Sequence, residues 1–358
     1  MRTVVCVMAA LCVAAGAGFA QEDIVTTKVI GTEFPGGEYK HPASFAELDN
    51  GDLYLSYYGG DGEYEANSKV WGMRLVKGSD TWGTPQVIAD TPFRSEGNPV
   101  VFQAPDGLVW LFYVQRYGDT WSDSRIKGKV SYDGANTWSD SFMVTFEKGT
   151  MVRGRPIVLM DGDYLLPIYH ETGNDREKVG ADTTSLFLRY NPKTNEWTET
   201  NRITSKYGNL QPSVVQMDEN YLISYSRRGG GYEPFPEGRI VRSESRDGGK
   251  TWAAGTESQF PNPNAATDFI KLANGHLLLV YNDSTDDRTP LTVSISTDGD
   301  KTYPYKRNIA EGPHDFAYPV VLQAKDGKIH MIYTRDGRKT IMHCVFDESA
   351  ILSHKAEN

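Results

Sequence analysis

The chain is organised around residues 245–252, which read Ser245-Arg246-Asp247-Gly248-Gly249-Lys250-Thr251-Trp252. Asp followed by Gly suits a tight turn, because Asp bonds to its own backbone and Gly accepts a positive φ. The Trp that follows can fold back as an apolar plug over the turn. The same segment returns at residues 131–138 and, with Tyr in the last place, at residues 296–303.

Weaker copies of this turn end at Trp82 and Trp197, which brings the number of copies to five. Their aromatic residues stand at positions 82, 138, 197, 252 and 303, so the steps run from 51 to 59 residues. A nearly constant period of this size is typical of a propeller, a solenoid or another array of equal units.

A second repeat lies between these turns and occurs six times. Each copy has a polar or Pro-containing start, a short apolar strand, a tight turn and a second apolar strand. The starts are marked by Pro42, Pro99, Pro156, Pro212, Thr267 and Pro319. Pro suits the first residue of a strand, where no ladder donor is required. Five of the six turns are Asn-Gly or Asp-Gly, the strongest short signal for a β-hairpin.

Six copies of a four-stranded unit predict an all-β fold, a six-bladed β-propeller. The sixth unit has only three strands before Phe346, so the segment from Ile24 to Ile30 is predicted to supply its fourth strand and close the ring. Closure removes exposed sheet edges. The predicted organisation is a signal peptide at residues 1–20 and a single propeller domain at residues 21–358. The alternative all-β fold, a sandwich, does not need six equal repeats.

The first 20 residues have the order of a secretory signal, with Arg2, an apolar run from Val4 to Ala15 and small residues up to Ala20. The apolar run is shorter than the roughly 20 residues that a membrane span needs. We therefore expect a secreted or periplasmic protein without a stable membrane span. Beyond this segment Cys344 is the last cysteine left, so no internal disulfide is expected.

The formal net charge of −10 argues against nucleic acid as a partner, because an acidic protein gains nothing from the phosphate backbone. The sequence has no zinc-type cluster of Cys and His and no Gly-rich loop of the kind that binds phosphate. No metal or other cofactor is therefore expected.

The topology predicts which face of the propeller holds a functional site. Hairpins and Asp-containing turns point to one face, where short turns leave little material for a pocket, and their Asp residues are predicted to be structural. The starts of the first strands and the ends of the second strands converge near the axis on the other face. The candidate residues at these converging positions are His41, Asp61, Glu63, Asn98, Arg153, Glu171, Gln211, Arg227, Asp268, Arg288, Tyr318 and Arg338.

Several arginines near one axis repel each other unless acidic groups or an anionic ligand neutralise them. Because Arg binds a carboxylate through two parallel hydrogen bonds, an acidic sugar within a glycan or polysaccharide is the natural substrate. For any single Arg, an ion pair that ties neighbouring blades together is the alternative.

The chain resembles the sialidase-like (neuraminidase) superfamily with Asp-box, or BNR, repeats, in a divergent bacterial branch. The turns at residues 131–138, 245–252 and 296–303 carry the resemblance, which extends over nearly all of the chain after the signal peptide. It implies an exo-acting glycoside hydrolase with arginines around the substrate carboxylate and a Tyr nucleophile.

The resemblance assigns roles by position. Tyr318 resembles the nucleophile, and Arg227 and Arg288 resemble two members of the arginine triad. Glu63 is the first choice for the acid/base and Asp61 the second, and His41 is a further catalytic candidate. The residues predicted to bind substrate beside the two arginines are Asn98, Arg153, Glu171, Gln211, Asp268 and Arg338.

Two features depart from the family pattern. The Arg-Ile-Pro start that the family has in blade one is absent, since His41-Pro42-Ala43-Ser44 stands there, and no Glu stands near Asn209 to activate Tyr318. An unassisted Tyr, with a pKa of about 10, is a weak nucleophile. Three functions therefore remain open: a hydrolase, a lyase on uronic-acid polysaccharides in which His41 or His170 acts with Tyr318, and a non-catalytic glycan-binding propeller.

Overall fold

The computed structural model describes residues 23–34, 36–176 and 178–355. The predicted signal peptide, residues 1–20, lies outside the described residues and stays a prediction. Within the described ranges, no helix is long and apolar enough to cross a membrane.

Six antiparallel units surround a central axis and form the predicted six-bladed β-propeller. After β1 (Ile24–Ile30), blade one comprises β2 (Tyr39–Glu47), β3 (Leu53–Gly60), β4 (Lys69–Leu75) and β5 (Gln86–Ala89). Blade two comprises β6 (Glu96–Gln103), β7 (Val109–Arg116), the short 3-10 helix Trp121–Asp123, β8 (Ser124–Ser131) and β9 (Phe142–Met143). Blade three comprises β10 (Thr150–Val152), β11 (Ile157–Val158), β12 (Tyr164–His170), β13 (Thr184–Asn191) and β14 (Glu196–Glu199).

The second half of the ring repeats this plan. Blade four comprises β15 (Asn209–Gln216), β16 (Leu222–Arg228), β17 (Arg239–Ser245) and β18 (Thr256–Pro261). Blade five comprises β19 (Asp268–Lys271), β20 (Leu277–Asn282), β21 (Leu291–Ser296) and β22 (Tyr305–Ala310). Blade six comprises β23 (Ala317–Gln323), β24 (Ile329–Arg335) and β25 (Thr340–Phe346), after which the single turn α1 (Ser349–Leu352) packs near blade five.

The predicted closing strand is confirmed. β1 pairs antiparallel with β25, in a register that sets Ile24 opposite Phe346 and Thr27 opposite His343. The strand nearest the N-terminus is therefore the outer strand of the last blade. It covers an edge of β25 that would otherwise be open for pairing with another chain.

The Asp-containing turns are held together by the Asp side chain. Asp133 accepts hydrogen bonds from the backbone N–H of Thr137 at 2.8 Å, from the Thr137 hydroxyl at 2.7 Å and from the Ser131 hydroxyl at 2.8 Å. These bonds lower the pKa of Asp133 to about 2. The aromatic plug packs on the preceding blade, as where the Trp252 and Phe187 rings stack with centroids 4.2 Å apart. These contacts give the turns a structural role, as predicted.

Arginines on the third strands link neighbouring blades. Arg189 donates to Asp163 at 2.6 Å in the hairpin of its own blade and to the carbonyl of Gly248 at 3.0 Å in the Asp-containing turn of the next blade. Because one side chain reaches both, the hairpins and the Asp-containing turns lie on the same face, as predicted. We call this the hairpin face and the opposite one the cavity face.

The prediction that Pro stands at the first residue of a strand is wrong in four blades. The prolines in question lie inside strands, at bulges where the pairing register shifts: Pro42 in β2, Pro99 in β6, Pro212 in β15 and Pro319 in β23. A bulge leaves a residue unpaired, so the missing N–H of Pro costs no ladder hydrogen bond there.

A pair of buried histidines makes the stability of the fold depend on pH. His343 Nε2 lies 3.0 Å from His330 Nδ1. Burial, together with the neighbouring imidazole, lowers the pKa of His343 to about 3. In the unfolded chain the pKa of this histidine is about 6.5. The stability that the neutral His343 contributes to the fold is therefore fully present above about pH 6.5 and is lost as the pH falls toward about 3. We expect His343 to cost about 2 kcal/mol of unfolding free energy between pH 7 and pH 5.

Urea denaturation of the parent and of His343→Gln at both pH values measures this cost as the difference between their pH dependences. Burial also raises the pKa values of Glu96 and Glu171 to about 7, but these carboxyl groups titrate alike in both proteins and cancel. An equal change of stability with pH in the two proteins would contradict the assignment.

Candidate functional site

Three polar side chains are positioned by the bulges in the first strands. Asn98, Gln211 and Tyr318 each precede a bulge proline and have φ values of 43°, 55° and 53°. This left-handed region is costly for residues with a Cβ, and bulges beside functional sites commonly redirect a side chain. The residue before each Pro thus carries its side chain toward the axis on the cavity face.

The Tyr318 hydroxyl is the centre of a hydrogen-bond network. Arg227 Nη1 donates to it at 2.8 Å and Gln211 Nε2 donates to it at 3.2 Å. Asn98 continues the network, because its Nδ2 donates at 3.2 Å to the hydroxyl of Tyr169. Among the described residues, none accepts the proton of Tyr318 itself. Two donors on one phenol oxygen favour its ionised form.

Arginine charges determine the ionisation of Tyr318. Burial raises the pKa of this phenol, but the charges of Arg227, Arg288 and Arg338 outweigh burial and hold the pKa below its usual value. The guanidinium carbons of Arg227 and Arg288 lie 5.9 and 5.6 Å from the centre of the Tyr318 ring. The site therefore combines a nucleophilic oxygen with an excess of positive charge.

Arg227 and Arg288 differ in how many donors they keep free. Arg227 Nε donates to Asn264 Oδ1 at 2.7 Å, and its Nη2 donates to the Tyr232 hydroxyl at 3.2 Å. Arg288 Nη2 donates to the carbonyl of Asn264 at 3.3 Å. Within the described part of the chain, Nη1 of Arg288 is buried without a partner.

Tyr232 covers these arginines. It follows Gly229-Gly230-Gly231, its hydroxyl accepts from Arg227, and its ring centre lies 5.5 Å from the guanidinium carbon of Arg288. The cavity beneath it measures about 30 Å³, which is room for about one water molecule.

Two carboxyl groups line the cavity in different surroundings. Glu63 is ion-paired with Arg338 and accepts hydrogen bonds from the Tyr39 hydroxyl at 2.9 Å and from Trp121 Nε1 at 3.1 Å. In the part of the chain that the structure describes, the Glu171 carboxylate has no ion-pair or hydrogen-bond partner. Burial raises the pKa of Glu171 to about 7, because the nearby Arg227 only partly opposes it. Glu171 therefore exchanges a proton near neutral pH, whereas Glu63 is ion-paired with Arg338.

Residues 51–331 match the family model described as a BNR repeat-like domain, which is most of the chain. The protein belongs to the BNR repeat-like family. No curated protein matches the sequence.

Solved structures share the sialidase-like propeller of this BNR repeat-like protein at low identity. The Hadza microbial sialidase Hz136 superposes with a TM-score of 0.73 and 18% identity, over 88% of this chain and 67% of that chain. The intramolecular trans-sialidase from Ruminococcus gnavus gives 0.72 and 14%, over 92% and 98% of the two chains. The α-L-arabinanase from Penicillium chrysogenum gives 0.64 and 13%, over 91% and 99%. At these identities the likeness shows the fold alone.

His41 and Arg153 support Tyr318 in this BNR repeat-like protein. The His41 ring lies edge-on to the Tyr318 ring at 4.2 Å, and its Nδ1 is 2.7 Å from the Thr334 hydroxyl. Burial and the surrounding arginines lower the pKa of His41 well below its usual value, so the imidazole is neutral. Arg153 donates to the carbonyl of Thr267 at 2.7 Å and lies 5.7 Å from the Tyr318 ring centre, below the cavity.

Other residues singled out from the sequence lie outside the cavity. Asp61 is exposed on its loop. Asp268 is buried, where it accepts the backbone N–H of Val321 at 2.8 Å and ties blade five to blade six. His170, the second histidine considered for a lyase, contacts Glu147 at 3.4 Å. None of the three reaches Tyr318.

Sequence reasoning missed the aromatic residues around the BNR repeat-like site. Tyr39, Tyr58 and Tyr169 lie at the axial ends of β2, β3 and β12, on the same converging positions that identified the polar candidates. Their position in the repeat could have identified them as site residues, but in the sequence they were interpreted as residues that pack in the core. Trp121 and Tyr232 lie in loops, where no repeat indicates the direction of a side chain.

A larger cavity of about 540 Å³ opens on the hairpin face. Its walls are largely apolar, with Val158, Ile270 and Leu322 among them. Of its two cations, Arg155 lies 4.0 Å from Asp268 and Lys271 donates to the carbonyl of Gln216 at 3.2 Å. The smaller cavity of the cavity face brings together an activated phenol, several arginines and two carboxyl groups, so we take it as the candidate active site.

Proposed function

We propose that this protein is an exo-acting glycoside hydrolase that removes a terminal sugar bearing a carboxylate. The observation that carries the proposal is the Tyr318 hydroxyl, which accepts hydrogen bonds from Arg227 and Gln211 and whose pKa the arginines lower. Activation by charge replaces the Glu that the sequence lacks near Asn209. A phenol with a lowered pKa is a usable nucleophile near neutral pH.

Arg227 and Arg288 bind the carboxylate of the substrate. Both side chains are buried, and the partnerless Nη1 of Arg288 needs an acceptor. The Tyr232 hydroxyl oxygen accepts a hydrogen bond from Arg227 Nη2, the donor that an anion would use. A carboxylate that displaces Tyr232 gains charge-assisted hydrogen bonds from two guanidinium groups.

The reaction takes two steps. The Tyr318 oxygen, in its ionised form, attacks the anomeric carbon while the bond to the leaving oxygen breaks, and Glu171 gives its proton to that oxygen. The Glu171 carboxylate then takes a proton from water, whose oxygen displaces Tyr318 and releases the sugar with retained configuration. We assign this role to Glu171 rather than to Glu63 because burial raises the pKa of Glu171 to about 7, whereas Glu63 is engaged in the ion pair with Arg338.

A lyase acting on uronic acids is the second candidate, favoured by the neutral His41 imidazole against the Tyr318 ring. Ionised Tyr318 would take the proton next to the carboxylate, and Arg227 with Gln211 would neutralise that carboxylate. The bond to the leaving oxygen would break with formation of a carbon–carbon double bond, and His41 would relay the proton for the leaving group.

A digestion screen tests both candidates. The purified protein is incubated with sialylated, uronic-acid-containing and neutral glycans, and the products are read by mass and by ultraviolet absorbance. We expect a released acidic monosaccharide that contains one added water. A product with new absorbance and no added water would assign the lyase, and the absence of any product would assign a binding propeller.

A further inference from the structure

Exposed aromatic side chains lie together on the cavity face of blade two. Phe93 is 91% exposed and precedes β6, and Phe146 is 79% exposed and follows β9. Tyr117 directly follows β7. All three segments join strands at the end that faces the cavity. With Arg94 and Arg125, which both contact Tyr117, they make up what we call the blade-two ribbon.

Two arginines hold the ribbon together. The guanidinium carbons of Arg94 and Arg125 lie 5.3 and 5.1 Å from the ring centre of Tyr117, within cation–π distance. Arg94 Nη1 donates to the Tyr117 carbonyl at 3.0 Å, and Arg125 Nε donates to the Phe146 carbonyl at 3.0 Å. Among the described residues, neither arginine is ion-paired with an acid, although the protein carries a net charge of −10.

The backbone at Phe93 is strained without any gain in packing. Its φ is 63°, in the left-handed region, where a bulky residue is an outlier. Because the Phe93 side chain is 91% exposed, its burial does not offset the free-energy cost of this backbone conformation. Strain of this kind persists where a residue serves a contact outside the folded chain.

The ribbon is continuous with the cavity. The loop between β7 and β8 carries Tyr117 on the ribbon and Trp121 in the cavity, where Trp121 Nε1 donates to Glu63 at 3.1 Å. On the other side, the hydroxyl of Ser95, two residues after Phe93, donates to the Glu63 carbonyl at 3.5 Å. The ribbon therefore runs outward from the mouth of the cavity.

We propose that the blade-two ribbon binds the acidic polysaccharide chain that continues from the sugar held in the cavity. The apolar faces of successive sugar rings stack on Phe93, Tyr117 and Phe146, as rings with one apolar face and a polar edge can. Carboxylates along the chain pair with Arg94 and Arg125. The direction of the chain rests on the proposed function, which this inference deepens by naming a polymer rather than a short glycoside as the substrate.

Binding is tested in the Tyr318→Phe protein, which does not consume the polymer. Native gels are cast with polygalacturonate, alginate or polysialic acid, with dextran as the neutral polymer. We expect at least one acidic polymer to retard the protein, and Phe93→Gly to weaken that binding about tenfold or more, because the exposed ring that the polymer would cover is lost. Phe93→Gly should also unfold at the same or a higher temperature, since Gly accepts the positive φ.

Tyr132→Ala is the matched control. Tyr132 is a 79% exposed aromatic residue of the same blade, in the Asp-containing turn on the hairpin face. The Tyr132→Ala change, made in the Tyr318→Phe protein, should leave the binding of each polymer unchanged. Equal retardation of the Phe93→Gly and Tyr132→Ala proteins, or no retardation by any acidic polymer, would overturn the proposal. So would a Phe93→Gly protein that differs only by losing self-association in sedimentation, which would make the ribbon an interface between copies.

The outcomes separate this inference from the proposed function. The parent protein could hydrolyse no substrate and still bind a polymer in a way that depends on Phe93. In that case the proposed role of the ribbon is supported and the proposed hydrolase function is wrong. If the parent is a hydrolase and Phe93→Gly leaves kcat/KM on the polymer unchanged, the hydrolase stands and the ribbon is wrong.

Discussion

Tyr318→Phe is expected to lower kcat/KM by at least about three orders of magnitude while the protein stays folded. The change removes the attacking oxygen and keeps the ring that contacts His41. Arg227 and Gln211 lose one acceptor each, but both also hydrogen-bond to each other at 3.2 Å. Steady-state kinetics on the substrate found by the screen measure the loss, and thermal unfolding checks the fold.

Tyr225→Phe is the control for this change. Tyr225 is another buried tyrosine, but its hydroxyl donates to Asp300 at 2.9 Å, in the Asp-containing turn of blade five on the hairpin face. It should retain the parental kcat/KM. Activity of Tyr318→Phe within about tenfold of the parent would remove Tyr318 from the chemistry. A slowly hydrolysed fluorinated substrate gives a second test, because a nucleophilic Tyr318 should carry the trapped sugar on its own peptide.

Glu171→Gln is expected to lower kcat/KM on natural glycans by about 10²- to 10⁴-fold, the usual contribution of a general acid. Burial raises the pKa of Glu171 to about 7, so its protonated form is depleted tenfold per pH unit above that value. Activity of the parent should therefore fall above about pH 7, and this fall should be absent in Glu171→Gln. Measuring kcat/KM from pH 5 to pH 9 on both proteins tests the assignment.

Two comparisons make the Glu171 test specific. A substrate with a good leaving group, such as a nitrophenyl glycoside, needs no protonation, so Glu171→Gln should lose little on it. Glu63→Gln disturbs the ion pair with Arg338 and should lower activity while the fall above about pH 7 remains. If Glu63→Gln abolishes that fall and Glu171→Gln does not, the acid is Glu63, as the sequence alone predicted.

The blades were predictable because the interactions that define them are local. Asp133 bonds to Thr137 four residues away, and Asn-Gly or Asp-Gly turns join strands that are adjacent in the chain. Even the long-range pairing of Ile24 with Phe346 followed from counting strands, since the sixth unit was one strand short. The converging positions also brought Tyr318, Gln211 and Arg227 together as expected.

The ionisation of the carboxyl groups was not predictable, because it depends on contacts between distant parts of the chain. Glu63 and Arg338 stand 275 residues apart, yet they form the ion pair that distinguishes Glu63 from Glu171. Tyr232 is a similar case. A Gly-rich loop leaves the direction of its side chains open, so nothing in the sequence indicated that this phenol would cover Arg227 and Arg288. The roles of all these residues stay predictions until the variants are measured.

The outer strand of blade six is the earliest part of the propeller to be synthesised and the last to find its partner. Until Thr340–Phe346 has been made, Ile24–Ile30 has nothing to pair with, and the loop to be closed is almost the whole chain. The blade that waits for it carries both Tyr318 and Arg338. A nascent chain would thus acquire Tyr318 and the Arg338 partner of Glu63 only in the final folding event, and a partly made propeller would lack both residues of the proposed site.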